Sequence, residues 1–433
     1  MDSSRITSLH TMTTQGHLII IGASARAAAQ SALRAGYSPW CIDLFADADL
    51  KAIAPVKQCP RDQWPLGVLA LMKDAPPGPV LFTGAMENHL EVVRILEKQR
   101  ELLGGSANAM EKLRQPRAVY EALMNWCENR GRNCEWHEAI SHVPALHWDD
   151  DLNHTMPLRW RAYAQKQVTE SSAFLIKPRK SAGGKAIRLW SPQEQVGEDE
   201  YLQCSLQGRS LSAVYHANDT SVKLLGISVQ IIGDTSCGAP SPFSYVGNVY
   251  PAQVSGDVRQ QFENAGQAMV QWSGLQGIFG IDAVLPYDVD PHQPLNHNRI
   301  HIVDINPRYP ASAELMERAQ VERAQVERAQ VERAQPNRAV LNPTTSWNDD
   351  AAEATTENHF ISKAIVYARQ RNRWTSAVMT DDLHDIADVP EDGAIIEAGQ
   401  PICTVFAMGE VRELCLASLR DKAQTIYTRL EPL

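Results

Sequence analysis

The chain begins with short apolar runs separated by a polar, alanine-rich segment. The run 18–21 is followed by Gly22 and a helix-favouring stretch, and the apolar run 40–44 comes next. A buried strand, a tight turn, a helix and a second strand form the pattern of a parallel βαβ unit. A similar turn, 83–88, follows the apolar run 80–82. The first hundred residues therefore predict a doubly wound domain, without the G-x-G-x-x-G spacing of dinucleotide-binding turns.

Polar side chains follow two of these predicted strands. They are Ser24, Arg26, Glu87 and Asn88. The carboxyl ends of parallel strands meet at one edge of a sheet, where such domains bind ligands. A substrate-binding role and a role in helix capping and turns are equally compatible with this pattern.

A lysine ends a short apolar strand in the middle of the chain. Lys177 follows the apolar run 174–176, and Gly183 and Gly184 lie in the turn before a second strand. An ammonium group at a strand end can balance phosphate charge, and glycines let backbone N–H groups approach a ligand. The segment therefore predicts a phosphate clamp, and a plain β-hairpin remains the alternative. It is not a Walker A loop.

Acid, amide and arginine alternate along the apolar run 302–308. Asp304, Asn306 and Arg308 project to one face if this segment is a strand. The segment 277–285 should pair with it as an antiparallel hairpin and bring Asp282 opposite. Carboxylate and amide oxygens suit Mg²⁺ and the phosphates that it bridges. The alternative is a strand end that runs into an Asn-Pro turn with a solvated arginine.

The later part of the chain is repetitive, then polar, then β-rich. A Glu-Arg-Ala-Gln repeat with a period of five residues spans 317–335, and a polar stretch covers 336–358. A period of five cannot build one apolar stripe on a helix, so the repeat predicts a solvated helix or a frayed tether. The stretch after it predicts a linker. Alternating apolar residues and turns from 359 predict a small β-rich cap ending in a helix.

Composition narrows the class of protein. The chain has 433 residues, 44% of them hydrophobic, and a net charge of −10. The acidic balance argues against a nucleic-acid or anionic-membrane surface. Eight cysteines without a C-x-x-C pair make structural zinc and a disulfide framework improbable. No segment has the length of a signal core or a membrane span, so we expect a cytoplasmic protein.

The order of these motifs resembles the ATP-grasp superfamily of carboxylate ligases, which includes biotin carboxylase and carbamoyl-phosphate synthetase. The resemblance covers essentially the whole chain. It implies an α/β plus α+β fold with three parts. These are a doubly wound pre-ATP-grasp domain at 1–110, a two-lobed ATP-grasp domain at 111–358 that contains the repeat and the linker, and a β-rich C-terminal domain at 359–433.

The resemblance also implies roles for individual residues. Lys177, Gly183 and Gly184 would bind ATP phosphates, and Gln203, Cys204, Ser205 and Leu206 would form the adenine hinge. Asp282, Asp304 and Asn306 would hold Mg²⁺ or Mn²⁺, and Arg308 would be the catalytic arginine. Ser24, Arg26, Glu87, Asn88 and Glu314 are candidates for substrate binding. Asp304 stands where the superfamily usually has Glu, Gln203 where an acid is frequent, and only Arg117 stands near the usual upstream lysine.

The function that follows is an ATP-dependent carboxylate-amine ligase that acts through an acyl phosphate. The alternatives are an ATP-dependent carboxylase that activates bicarbonate and a non-catalytic nucleotide-binding regulatory protein. A narrower resemblance, to ATP-grasp proteins associated with methanopterin-type and methanofuran-type cofactors, implies an amino acid such as glutamate as the carboxylate. The expected partners are small-molecule carboxylate and amine substrates, and a homodimer is compatible with the sequence.

Overall fold

The computed structural model describes residues 15–129, 174–191, 193–287, 299–334, 359–379, 383 and 385–433. Within them lie a four-stranded, an eight-stranded and two three-stranded sheets. The predicted linker 336–358 and residue 335, the last of the predicted repeat, lie outside the described residues.

The N-terminal part is a parallel sheet with helices on both faces. Its strands are β1 (His17–Gly22), β2 (Ser38–Asp43), β3 (Val56–Gln58) and β4 (Val80–Phe82), in the order β3-β2-β1-β4. Its helices are α1 (Arg26–Arg34), α2 (Ala48–Lys51), α3 (Gly67–Leu71) and α4 (Leu90–Glu97). Ile19 and Ile21 belong to one core cluster and Ile20 to another. The continuous apolar run thus reflects burial on both faces of β1.

The carboxyl ends of β1 and β4 approach each other closely. A Cβ atom on Gly22 would lie 1.8 Å from Oγ1 of Thr83, so only glycine permits this approach. Ala85 then adopts a left-handed conformation with φ of 79°, and a short 3-10 turn, Met86–Asn88, follows. This turn places Glu87 and Asn88 at the edge of the sheet that the sequence indicated.

Two helices connect this part to the rest of the chain. They are α5 (Ala107–Leu113) and α6 (Pro116–Asn129). The side chain of Ser106 caps α5 by accepting a hydrogen bond from the backbone N–H of Ala109. Pro116 occupies the first position of α6, where its missing N–H costs nothing. Arg114 lies between the two helices.

A small antiparallel sheet carries the lysine strand. Its strands are β5 (Phe174–Pro178), β6 (Arg188–Leu189) and β7 (Glu200–Cys204), in the order β6-β5-β7. Lys177 lies opposite Tyr201 in the register of β5 and β7. The segment 179–187, which we call the lid loop, joins β5 to β6. The predicted lysine strand and glycine turn thus adopt the expected hairpin.

The largest sheet has eight strands. They are β8 (Gly208–Ala217), β9 (Val222–Ile232), β10 (Tyr245–Tyr250), β11 (Gly277–Pro286), β12 (His301–Asn306), β13 (Phe360–Tyr367), β15 (Ile386–Ala387) and β17 (Pro401–Gly409). The helix α7 (Gly256–Ser273) packs on it. Strands β10 and β13 pair, with Val249 opposite Ser362. The predicted boundary between 358 and 359 therefore divides strands of one sheet, because β13 and β17 continue the sheet of the predicted ATP-grasp domain.

The repeat begins inside a helix that is partly buried. This helix, α8 (Ala313–Ala334), starts before the first copy of the repeat. Glu317 is buried and accepts hydrogen bonds from Ser31 and Arg34, while the guanidinium of Arg318 lies 3.5 Å from the ring centroid of Phe406. The expectation of a fully solvated repeat is thus wrong for the first copy, because the helix starts in the core. Val321, between the first and the second copy, is exposed.

A small sheet and a helix complete the C-terminal part. The sheet contains β14 (Asn372–Arg373), β16 (Ile395–Ile396) and β18 (Glu431–Pro432), and the helix is α9 (Arg412–Arg429). Short 3-10 turns elsewhere are Met72–Asp74, Thr235–Cys237 and Ser376–Val378. The predicted α/β plus α+β class is confirmed. No helix in the part of the chain described here is long and apolar enough to cross a membrane.

Candidate active site

A cavity of about 1000 Å³ lies where the N-terminal sheet, the lid loop and the large sheet meet. Most of the predicted site residues line it. They are Ser24, Arg26, Lys177, Gly183, Gly184, Asp282, Asp304, Asn306, Arg308 and Glu314. These positions span almost three hundred residues of sequence. The fold therefore brings the phosphate, metal and catalytic candidates into one concave site, as binding sites in enzymes require.

The ammonium group of Lys177 is held at the inner wall of the cavity. Its Nζ donates to Oε1 of Gln203 and to the carbonyl oxygen of Val303, each at 3.1 Å. Lys177 is buried, and only 9% of its surface is exposed. An ammonium has three donors, so one remains for a ligand beyond these two bonds. Lys177 thus stands where a phosphate oxygen in the cavity would meet it.

The lid loop is tied down by its glycines. Gly184 has a φ of 77°, and a Cβ atom there would lie 1.9 Å from the carbonyl oxygen of Phe243. The carbonyl of Gly183 accepts a hydrogen bond of 3.0 Å from the backbone N–H of Tyr245. Glycine at position 184 is therefore required both for the backbone conformation and for close packing. The lid covers one side of the cavity in this arrangement.

The predicted adenine hinge connects β7 to β8. Cys204 ends β7, and Ser205 and Leu206 form the short link to the next strand. Gln203 is buried, and its amide accepts from Lys177. A second, smaller cavity of about 40 Å³ lies beside Gln203, with Leu113 and Ile302 in its walls. The hinge role of 203–206 remains a prediction, supported by its place between the two sheets.

Two carboxylates face each other across β11 and β12. Asp282 lies opposite Asp304 in the register of the two strands. Burial, and then the nearby charge of Asp304, raise the pKa of Asp282 to about 6. Asn306 donates from Nδ2 to Oδ2 of Asp282 at 2.9 Å. The charge of Asp304 thus disfavours ionisation of Asp282, as expected for two neighbouring carboxylates.

This donor set fits a divalent cation that also binds phosphate. No group of three or more His, Cys, Asp or Glu side chains suited to a metal occurs in the described part of the chain. Mg²⁺ commonly takes only one or two carboxylates and completes its shell with water and phosphate oxygens. Asp282 and Asp304 supply that number. Both polar atoms of the Asn306 side chain already form hydrogen bonds, because Nδ2 donates to Asp282 and Oδ1 accepts from Arg308. Asn306 would therefore bind a metal only through the second lone pair of Oδ1.

Arg308 is bonded to two distant parts of the chain. Its Nε donates to Oε1 of Glu87 at 3.1 Å, and its Nη2 donates to Oδ1 of Asn306 at 2.9 Å. Its Nη1 donates to the carbonyl oxygen of Tyr309 at 3.3 Å. A guanidinium group has five N–H donors, so these bonds leave two. Two adjacent donors can bind a carboxylate or a phosphate in bidentate fashion.

Arg114 is the site residue that the sequence did not reveal. Its Nη1 lies 3.2 Å from Oδ1 of Asp304, and its Nη2 donates to Oδ1 of Asn88 at 3.0 Å. The same Nη2 lies 3.2 Å from the carbonyl oxygen of Arg179 and 3.4 Å from that of Ser181, both in the lid loop. Arg114 therefore joins the metal-site carboxylate to the lid. The sequence gives little indication of this role, because Arg114 follows a short helix and belongs to no recognisable motif.

Arg117, the sequence candidate for the upstream cation, lies elsewhere. Its Nε pairs with Glu121 one turn further along α6, at 2.8 Å, and both side chains are exposed. The helix that starts at Pro116 turns position 117 toward solvent, whereas position 114 lies before that helix and faces the site. Arg114, three residues earlier, thus occupies the place expected for Arg117.

Two of the substrate candidates are bound to each other. Arg26 donates from Nη1 and Nη2 to the two carboxylate oxygens of Glu314, at 2.6 and 3.0 Å, and from Nε to Asp388 at 2.8 Å. Lys363 donates to Glu314 at 3.0 Å. Burial pushes the pKa of Glu314 up, but the charges of Arg26 and Lys363 outweigh it and hold that pKa well below its usual value. Protein groups thus satisfy Arg26 and Glu314, and Ser24 donates to Asp388 beside them.

The remaining substrate candidates, Glu87 and Asn88, are buried behind the residues that line the cavity. Glu87 is 2% exposed and Asn88 is 8% exposed. Glu87 contacts Arg308, while Nδ2 of Asn88 donates to the carbonyl oxygen of Ser181 at 3.3 Å. Both residues therefore contact other site residues and the lid loop.

The middle of the chain matches a known domain family. Residues 149–312 match the ATP-grasp domain family. No curated protein matches the chain. The predicted ATP-grasp domain is thus confirmed over this segment.

Solved structures with the same fold cover nearly the whole chain. Biotin carboxylase from Campylobacter jejuni is 13% identical, with a TM-score of 0.60, over 95% of this chain and 91% of that one. N5-carboxyaminoimidazole synthetase from Staphylococcus aureus in complex with ADP is 12% identical, with a TM-score of 0.57, over 95% and 97%. An L-amino acid ligase from Bacillus licheniformis is 13% identical, with a TM-score of 0.57, over 96% and 98%. At such low sequence identity, these comparisons show that the chain shares the fold of these proteins.

Proposed function

We propose that the chain is an ATP-dependent ligase that joins a carboxylate to an amine. An oxygen of the substrate carboxylate attacks the γ-phosphorus of ATP, ADP leaves, and an acyl phosphate forms. The nitrogen of the amine then attacks the acyl carbon, inorganic phosphate leaves, and the nitrogen loses a proton. The observation that carries this proposal is the convergence of Lys177, the Asp282 and Asp304 pair, and Arg308 on one cavity.

Phosphoryl transfer asks a protein mainly for positioning and charge stabilisation. Lys177 would neutralise charge on the ATP phosphates, and Asp282 with Asp304 would hold Mg²⁺. When bound, Mg²⁺ supplies charge stabilisation for the transferring phosphoryl group. Arg114 adds a further positive charge beside Asp304. These groups would thus place positive charge around the γ-phosphate.

Arg308 would bind the reacting carboxylate through its two remaining N–H donors. The same bidentate geometry suits the phosphoryl group after transfer, because carboxylate and phosphate oxygens present similar pairs of acceptors. The lid loop, which contacts both Arg114 and Tyr245, would exclude water from the acyl phosphate. Arg308 is thus the residue that we assign to catalysis.

A carboxylase that activates bicarbonate is the second candidate. Two of the compared structures are a biotin carboxylase and an N5-carboxyaminoimidazole synthetase, whereas the third is an amino acid ligase. Bicarbonate would enter the same place beside Arg308 as a larger carboxylate.

Nucleotide binding is tested first, by thermal unfolding of the full chain in the presence of ATP and MgCl₂. At a hundred times Kd the ligand should add about 2.7 kcal/mol to the free energy of unfolding. ADP release is then measured with amino acids, with bicarbonate, and with pterin-linked and tyramine-like amines as acceptors. Release that requires both an amino acid and an amine supports the ligase, and release with bicarbonate supports the second candidate.

Arg308→Ala should remove turnover and leave ATP binding intact. Loss of one group that stabilises transition-state charge typically lowers kcat by about 100-fold or more. Arg117→Ala is the matched control, since Arg117 lies on an exposed face of α6, and it should keep full activity. No thermal shift with any nucleotide, or full turnover in Arg308→Ala, would contradict the proposal.

A further inference from the structure

A buried carboxylate behind the cavity wall is bonded on one side only. Glu87 is 2% exposed, and its Oε1 accepts from Nε of Arg308 at 3.1 Å. Its Oε2 is buried and has no hydrogen-bond partner among the described residues. A buried carboxylate oxygen without a partner is costly. The arrangement persists because the rest of the fold places Glu87 there.

Glu87 binds Arg308 through a different edge of the guanidinium than Glu314 uses to bind Arg26. Glu314 binds both Nη atoms of Arg26 and leaves that guanidinium with no bidentate edge. Glu87 instead takes the single Nε of Arg308. The two Nη groups, each with one further N–H, then stay on the side of Asn306 and the cavity. The pairing therefore orients Arg308 with its bidentate edge toward a ligand.

The turn that carries Glu87 is built to present it. Ala85 has a φ of 79°, a conformation that alanine rarely adopts and that tends to occur at functional sites. Met86, fully buried in the N-terminal core, anchors the turn. Asn88 then accepts from Arg114 and donates to the lid loop. One short turn thus contacts both arginines of the site.

Resting on the proposed function, we infer that Glu87 is a positioning residue that orients Arg308 for the reacting carboxylate. Its negative charge also lies close to Arg114, where it favours the charged guanidinium together with Asp304. The N-terminal domain therefore contributes to turnover by holding the catalytic arginine through Glu87. Glu87 itself touches no ligand in this role.

Glu87→Gln tests the inference, because glutamine keeps the size of the side chain and loses its charge. We expect kcat for ADP release to fall by about 10-fold to 100-fold, as for the loss of a well-oriented charge. The Kd for ATP, measured by calorimetry, should stay unchanged, because Lys177 is untouched. Glu87→Asp keeps the charge at a greater distance and should restore part of the lost kcat. Full turnover in Glu87→Gln would overturn the inference.

A double-mutant cycle of Glu87→Gln and Arg308→Ala distinguishes the positioning of Arg308 by Glu87 from a general effect of Glu87 on folding. If Glu87 acts through Arg308, Glu87→Gln should lower turnover by less than about twofold further when Arg308 is already alanine. Glu317→Gln is the matched control, since Glu317 is also a buried glutamate that pairs with an arginine across the same domains. It should leave kcat unchanged. Additive losses in the cycle would assign Glu87 a structural role only.

Crystal structures of the full-length wild type and of Glu87→Gln keep the inference testable if the proposed ligase activity fails. The guanidinium of Arg308 should leave its place between positions 87 and 306 in the variant. An unmoved Arg308 would overturn the inference, whether or not the chain releases ADP. Absence of ADP release in the wild type, with any carboxylate, would instead overturn the proposed function.

Discussion

Two clusters of charged side chains border the same cavity and differ in how their charges are paired. The closed cluster, Arg26, Glu314, Lys363 and Asp388, is linked by ion pairs of 2.6 to 3.0 Å. The open cluster is Lys177, Asp282, Asp304 and Arg308, with Arg114 beside Asp304. It combines two facing carboxylates with two cations, Lys177 and Arg308, that keep free donors. Both clusters contain residues that the sequence nominated for ligand binding.

The pKa values show the same difference. Despite its burial, Glu314 has a pKa held well below the usual value by Arg26 and Lys363. The pKa of Asp282 is raised to about 6 by burial and by Asp304. A carboxylate that is more stable as an anion in the folded protein is compensated by its neighbours, and one that is less stable lacks a cation. We infer that the closed cluster serves folding and that the open cluster serves binding.

The largest expected effect concerns the closed cluster. Arg26→Met should lower the free energy of unfolding by about 3–5 kcal/mol, because it leaves Glu314 and Asp388 buried without their main partner. Urea unfolding measures the loss. Lys51→Met is the matched control. Lys51 also joins the N-terminal part to the segment after β15, through an exposed pair with Glu391, and its loss should cost less than about 1 kcal/mol.

The comparison would break if Arg26→Met left stability intact but weakened binding of ATP or of the carboxylate. Arg26 would then belong to the ligand site despite its ion pairs with Glu314 and Asp388.

Lys177→Met provides the opposite case in the open cluster. It should weaken ATP binding strongly and change stability little, since Lys177 has neutral oxygen partners in the protein.

Much of the fold could be predicted from local patterns. The βαβ opening, the lysine hairpin and the pairing of β11 with β12 follow from apolar runs, glycines and alternation, which act over a few residues. The continuation of the large sheet through β13 and β17 could not be read in this way. That pairing joins residues more than a hundred positions apart, and no local pattern specifies which edge a strand will join.

The candidate site shows the same limit. Asp304 and Arg308 could be nominated because an alternating strand places them on one face. The mutual pairing of Arg26 and Glu314, 288 positions apart, depends on how α1 meets α8. Arg114 was missed for a similar reason, since its role depends on contacts with Asp304 and the lid loop. Sequence spacing indicates chemistry within an element, and packing decides which side chains stay free.

The next prediction concerns the sign of a stability change in the open cluster. Because the folded protein raises the pKa of Asp282 from 3.8 to about 6, its ionised form opposes folding at pH 7.5. Asp282→Asn should therefore raise the free energy of unfolding by about 1–2 kcal/mol at that pH, after allowance for contact with solvent. The gain should shrink as the pH falls through 6, and metal-dependent ADP release should be lost.

Glu314→Gln is the matched variant in the closed cluster, and its effect has the opposite sign. The lowered pKa of Glu314 contributes stability above its usual value of 4.5, and this contribution is lost as the pH falls below that value. Glu314→Gln should therefore destabilise the protein at pH 7.5. Urea titrations of both variants at pH 7.5 and 5 measure the two signs, and equal signs would erase the distinction between the clusters.

The smallest expected effect lies in the turn that joins the open cluster to the N-terminal sheet. Ala85 has a φ of 79°, so Ala85→Gly should relieve backbone strain and raise the free energy of unfolding by about 0.5 kcal/mol, net of the added freedom of the unfolded chain. Ala27→Gly, inside α1, should instead cost about 1 kcal/mol. Ala85→Gly could stabilise the protein and also lower kcat. That result would show that the strained turn holds Glu87 against Arg308, so that backbone strain, like unpaired charge, distinguishes the open cluster. A loss of stability would show that the turn is relaxed with alanine.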